Sequence, residues 1–400
     1  MRLPIWIAVA AFASAAPAAL LGACATNEDT ELTPPSDTNE VPHQDAAAEA
    51  AEDGQVKPCA DCDHFPTVCS DDVLCAVAPF DPLNPASLID SRAAILDVRG
   101  RGPNDVWLAG AVGVAAHFDG ATWRTSDLGV SETQTALVLL DSSELAFRTW
   151  NSYLSRGASA GVADAGPSRD GWSVQPLPAA PPNWNLSGAM LTAVWAAGED
   201  ELWVGGDGGR VACGLWRLRR TAFSTFTLSE SMPTSTCLTG GFTEIHGLHG
   251  ASPDALWAVG GRGAAVRIEG AAGANPTLRA YNSLTVNALR GVWAASDSEA
   301  WAVGAAGTIR HYNGDPVFWE VIDDVPTNET LNGVWGTSAS DIWAVGNAGV
   351  VLHYDGARWI RMKVAGLAEL RPDLYSVWSP APGHVWIGGR GVLLSLGGKP

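Results

Sequence analysis

The feature that most constrains this chain is a repeat in its own sequence. Leu289-Arg-Gly-Val-Trp293 is followed by Glu299-Ala-Trp301-Ala-Val-Gly304, and the same phrase returns as Leu331 to Gly346 and as Leu374 to Gly389. In each copy the two Trp stand eight residues apart, and the second recurs at Trp257, Trp301, Trp343 and Trp386, in steps of 44, 42 and 43 residues. The frame continues backward as His249 with Trp257, Trp195 with Trp203, and Arg99 with Trp107. The interval from Trp107 to Trp203 holds one more, decayed copy. There Val138-Leu-Leu140 precedes Ser142-Ser-Glu-Leu-Ala146, with Ala146 in the Trp slot. A fixed period of this length means a unit that buries its apolar face only against its neighbours. That makes seven units.

Each unit reads as strands. Short β-branched and aromatic runs alternate with Gly, Asp, Asn and Ser turns, without a sustained period near 3.6. His117-Phe-Asp119-Gly120, His311-Tyr-Asn313-Gly314 and His353-Tyr-Asp355-Gly356 predict hairpins with type I′ turns. Trp123, Trp319 and Trp359 then fall on a fourth strand. Four strands every 40-odd residues form the blade of a propeller, so the expected fold is all-β, a seven-bladed β-propeller of four-stranded blades spanning 79–400. Its repeated Trp fill the wedges between blades, each burying on the order of 200 Å². The seventh unit stops after a third strand, Val392–Leu396, and residues 79–93 are expected to add the missing fourth and cover that edge. Segments 155–190 and 221–244 interrupt the period and read as surface insertions. Cys237 in the second is placed to reach back to Cys213.

The N-terminus is a different material. Met1-Arg2 opens an apolar run ending in Leu21-Gly-Ala-Cys24, the pattern of a secretory signal over residues 1–23. An uncleaved membrane helix is the alternative. Residues 25–57 carry nine acidic groups and no aromatic residue, too little apolar surface to offset ordering, so 24–57 is expected to be a disordered tether. A small Cys-rich segment, 58–78, precedes the propeller. Cys59, Cys62, Cys69 and Cys75, with Cys213 and Cys237, make an even set suited to disulfides in an exported chain. The spacing fits zinc poorly, and the neighbouring Asp61, Asp63, Asp71 and Asp72 lack the Gly and terminal Glu of a calcium loop. No metal and no cofactor is expected. A formal net charge of −19 argues against nucleic-acid backbones.

The segment Leu21-Gly-Ala-Cys24 resembles the bacterial lipobox, which implies cleavage before Cys24, its lipidation, and membrane attachment. Ala25 in place of Asp points to the outer membrane. The turns Asp119-Gly-Ala-Thr-Trp123 and Asp355-Gly-Ala-Arg-Trp359 resemble those of the sialidase-like and photosystem-assembly-factor propellers with Asp-box-like repeats, over roughly residues 90–400. Propellers of this kind include hydrolases, lyases and binding scaffolds. A sialidase site needs an arginine trio and a Tyr nucleophile. No such trio stands in matching positions, and Tyr312 and Tyr354 occupy the hairpin register.

Other candidates for chemistry are few. His117, His311 and His353 share one repeat position and read as structural, and His246 and His249 sit on one strand at a spacing unsuited to a metal. Gly205–Gly209 and Gly260–Gly263 precede strands, not helices, so they are turns and not phosphate cradles. Arg217, Arg219 and Arg220 read as a solvated strand face or an anion site. Trp150, Trp184 and Trp216 fall outside the blade frame and are the ligand-binding candidates, with local packing as the alternative. The expected protein is a monomeric, non-catalytic envelope lipoprotein whose propeller binds a protein or a glycan. A glycan-active hydrolase or lyase with its site over the channel is the alternative. That alternative requires at least two carboxylates with a Tyr or His at the channel mouth.

Overall fold

The computed structural model describes residues 61–80, 89–90, 92–157, 166–179, 186, 188–208, 213–222, 225–229 and 243–399. The signal segment, Cys24, the tether, Cys59, Trp184 and Cys237 lie outside the described residues. All described residues belong to one unit, Pro58–Pro400.

Seven sheets, antiparallel apart from one parallel pair in the last, form a seven-bladed β-propeller. The first strand of each blade lies innermost. These strands are Ile95–Gly102, Ala136–Leu139, Leu191–Gly198, Ile245–Ser252, Leu289–Ser296, Leu331–Ser338 and Leu374–Ala381, and each neighbours the next around the ring, the seventh returning to the first. The paired aromatic frame follows directly from register. Trp293 faces Trp301, Trp335 faces Trp343 and Trp378 faces Trp386 across the first hairpin of their blades.

Three of the inner-strand Trp lean onto the following blade, where only a glycine fits. A Cβ on Gly100 would stand 2.3 Å from Trp378, one on Gly250 2.7 Å from Trp195, and one on Gly336 2.7 Å from Trp293. A second repeated element binds the outer layers. Asp105, Glu299 and Asp341 accept from His117, His311 and His353 at 2.8, 3.3 and 2.7 Å, and those imidazoles stack on Trp107, Trp301 and Trp343 at 4.1–4.3 Å. The repeated His are therefore held between a carboxylate and an indole.

Three expectations change. The second blade is complete, with strands Ala136–Leu139, Ser143–Thr149, Ser152–Gly157 and Ser173–Pro176. Its register sets Leu145, not Ala146, in the Trp slot, because Val138 pairs with Leu145. The regular blades carry an extra residue at the first hairpin, seen as a register shift such as Ala294/Ser296, and the second blade lacks it. The third-to-fourth-strand turns are not type I′. Only the glycines, Gly120, Gly314 and Gly356, have positive φ. Asp119 and Asp355 instead accept two backbone N–H groups each, at 2.9–3.0 Å, which holds a four-residue connection.

The clasp also lies earlier than expected. Leu74–Ala76, not residues 79–93, pairs antiparallel with Val392–Leu396 as the fourth strand of the last blade, and parallel with Val364–Ala365. Among the described residues of the later stretch, Phe80 and Ala93 make single contacts with the last blade, and Ala94 follows with another. The disulfide Cys69–Cys75 ends within this strand. Cys62 and Cys213 are disulfide-bonded as well.

The clasp makes ring closure a stability determinant. Leu74 is fully buried, so Leu74→Ala is expected to lower the unfolding free energy by about 2–5 kcal/mol in a denaturant titration. A change under about 1 kcal/mol would mean that the ring does not depend on this strand.

Candidate functional site

In six blades the residue after the first apolar position of the inner strand is skipped by the ladder. Leu289 pairs with Gly304 and Gly291 with Val303, leaving Arg290 unpaired, and the same shift recurs after Ile95, Leu191, Ile245, Leu331 and Leu374. Such a bulge re-aims one side chain. The residues so placed are Leu96, Thr192, His246, Arg290, Asn332 and Tyr375. Thr135 takes the same place in the second blade, and all seven line the central channel.

The following position keeps the inner strands in close approach. Gly247, Gly291 and Gly333 stand there, and a Cβ on any of them would lie 2.9–3.2 Å from backbone of the next blade. Asp97 and Ser376 replace glycine at the ring's junction. Asp97 accepts from Ser376 Oγ at 3.1 Å and from the Leu137 N–H at 2.8 Å, so it ties the seventh, first and second blades together. Burial lifts its carboxyl above the usual range, and the Arg99 guanidinium at 3.2 Å opposes that.

Four of the bulge residues also brace the ring. Thr135, Thr192, His246 and Asn332 each bond the carbonyl that opens the next inner strand, those of Leu191, Ile245, Leu289 and Leu374, at 2.5–3.1 Å. Arg290 is exposed and has no ion pair among the described residues. Among the described residues the Tyr375 hydroxyl accepts only from the exposed Arg390, at 3.5 Å.

Toward the other end of the same strands the channel is crossed by one indole. Trp335 lies under the Arg99 guanidinium at 5.2 Å and meets the His249 ring edge-on at 5.1 Å, joining the sixth, first and fourth blades. The Ala294 N–H donates to His249 Nδ1 at 3.0 Å, which requires a lone pair there and fixes the neutral Nε2–H tautomer. Burial, with Arg99 close by, pushes His249 down to about 3. The remaining cavity measures about 110 Å³, enough for several waters.

The lining of this channel bears on the enzyme alternative. It contains one carboxylate, Asp97, whose oxygens are engaged as described. The required pair of carboxylates is not among the described lining residues. The channel is equally unlike a smooth Gly, Ala and Val tube.

The sequence candidates fall elsewhere. Trp150 and Trp216 are buried, at 4% and 1% exposure, and pack on each other at 5.1 Å between the second and third blades. The packing alternative holds for both, since neither offers a face to a ligand. The arginine cluster is not a solvated face. Arg217 is 1% exposed, pairs with Glu201, lies over Trp203 at 5.5 Å, and is held down to about 10 by burial. Arg219 shares the same carboxylate at 3.3 Å. The variable channel residues were missed because a bulge is a property of register. Their signal was present as a position that takes six residue types in seven copies, directly after the apolar residue that opens most of the inner strands.

No family model and no curated protein sequence matches the chain. Solved structures match by fold. "YCF48 bound to D1 peptide" is 18% identical, with 76% of this chain and 92% of that one covered at a TM-score of 0.55. YCF48 from Cyanidioschyzon merolae is 14% identical, with 77% and 97% covered at 0.55. Virginiamycin B lyase from Staphylococcus aureus is 11% identical, with 76% and 94% covered at 0.56. At these identities the likeness establishes the propeller fold alone.

The His249 environment generates a pH test. Its folded value of about 3 lies below the ordinary 6.5, so its contribution is complete above pH 6.5 and is lost as pH falls from there toward 3. His249→Gln keeps an acceptor for Ala294 and is expected to flatten the fall in melting temperature between pH 6.5 and 4.5. Parallel curves for the two proteins would show that His249 is not held neutral.

Proposed function

We infer that this protein is a non-catalytic envelope module, lipid-anchored through Cys24, whose channel face binds a protein segment. The observation that carries the reading is the bulge ring. Six bulges, with Thr135 in the matching place of the second blade, turn seven side chains into the channel, and these span Leu, Thr, His, Arg, Asn and Tyr. Packing asks for repetition, whereas recognition asks for difference at defined points. Arg290 and Tyr375, the residue types enriched at binding hot spots, stand in this ring without a bracing bond to the next blade. The neighbour bound to a peptide has the same fold, and the Cys69–Cys75 disulfide suits an oxidising, exported compartment.

The ring is tested by affinity capture from envelope extract with the unlipidated chain. Arg290→Glu with Tyr375→Ala is expected to weaken retention of the captured protein at least tenfold, and Ile360→Ala, on the fourth strand of the sixth blade, to leave it unchanged. Equal retention by all three chains would remove the channel face from the reading. The anchor is tested separately, because Cys24→Ala is expected to release the protein from membranes or leave its precursor uncleaved. Unchanged processing and membrane association would refute it.

A further inference from the structure

The second blade departs from the other six at one paired position. In those six blades the inner strand opens on a fully buried Leu or Ile, namely Ile95, Leu191, Ile245, Leu289, Leu331 and Leu374. Opposite stands a glycine, Gly110, Gly206, Gly260, Gly304, Gly346 or Gly389, whose added Cβ would lie 1.8–2.7 Å from a neighbouring backbone oxygen. The residue after that glycine then donates its N–H to the carbonyl preceding the inner strand, as Ala305 does to Ala288 at 2.9 Å. The register of the second blade sets Gln134 in the apolar position and Arg148 in the glycine position. The corresponding backbone bond is absent among its described residues, and the Gln134 N–H goes to Gly110 O of the first blade at 2.9 Å.

At this place the second blade holds a cavity of about 310 Å³. Its wall carries Gln134, Arg148, Thr149, Asn151 and Ser152, with Leu154 and Val174 as an apolar side and Glu132 at the lip. Gln134 is 3% exposed, and its side chain reaches the Glu132 carbonyl at 3.2 Å. Arg148 is half-buried, its Nε is enclosed without a partner, and no ion pair or hydrogen bond engages its guanidinium among the described residues. An enclosed Nε–H left without an acceptor carries a cost that a ligand oxygen would remove. A chain of net charge −19 with a carboxylate at the lip disfavours a doubly charged anion. A single carboxylate matches the planar fork of Arg. The amides and hydroxyls around it match a body rich in hydroxyl groups, and Val174, 46% exposed, offers an apolar face.

We propose that the pocket between Gln134 and Arg148 in the second blade binds an acidic sugar of the uronic-acid class, with its carboxylate on the Arg148 guanidinium. The site is separate from the channel ring and stands whether or not that ring binds a protein.

The test is calorimetric titration of the full chain with D-galacturonate and D-glucuronate, beside D-glucose and inorganic phosphate. One of the two uronates is expected to bind with a Kd on the order of 1 mM or tighter, glucose not at all, and phosphate more weakly. Arg148→Gln is expected to weaken the uronate at least tenfold. The double variant Gln134→Leu with Arg148→Gly restores the pair used by the other six blades. It is expected to melt no lower than the parent and to lose binding, which separates loss of the site from loss of the fold. No heat with either uronate at roughly 10 mM, phosphate binding tighter than both, or uronate binding retained in the double variant would each overturn the proposal.

Discussion

Three inner strands of the ring carry a Trp that lies on the next blade, and that contact exists only if the next blade offers almost nothing there. Trp378 needs Gly100, Trp195 needs Gly250, and Trp293 needs Gly336. The requirement runs around a closed circle, so the seventh blade has to meet the first as tightly as any other pair. Two devices secure that junction. Ser376 and Asp97 bond side chain to side chain where glycines serve elsewhere, and Leu74–Ala76 completes the last sheet from the other end of the chain. Without the second device the third strand of that blade would be an open edge.

With the circle fixed, function is confined to what the packing leaves unused. The bulge after each opening residue is such a place, since the ladder skips it and the side chain turns into the channel. Thr135, Thr192, His246 and Asn332 lend themselves back to the ring, while Arg290 and Tyr375 do not. The second blade is another such place. Its lack of Trp at the two frame positions looks like decay when the frame is read by residue type. In the hydrogen-bond register it is a substitution of a buried Leu–Gly pair by Gln134 and Arg148.

How much of this was legible in the sequence divides along the same line. The Trp pairs, the blade count and the carboxylate-bound His positions all repeat, and repetition survives without coordinates. The clasp was placed a few residues late because its three residues, Leu-Cys-Ala, sit beside a disulfide and have no repeat to mark them. The off-frame Trp were offered as contacts because off-frame was read as exposed, yet Trp150 and Trp216 pack on each other in the seam between the second and third blades. Arg148 was invisible for a narrower reason. With Ala146 taken for the Trp slot, every later residue of that blade was compared with the wrong partner.

The account rests on closure, and native-state hydrogen exchange reads closure directly. The Leu74 N–H donates to Lys363 O at 3.0 Å and the Val77 N–H to Leu393 O at 2.9 Å. If the clasp is part of one cooperative ring, both amides exchange only through global unfolding, with the same free energy as the buried second strands of the middle blades. Exchange of Leu74 and Val77 through a local opening several kcal/mol easier, with the other blades still protected, would contradict it.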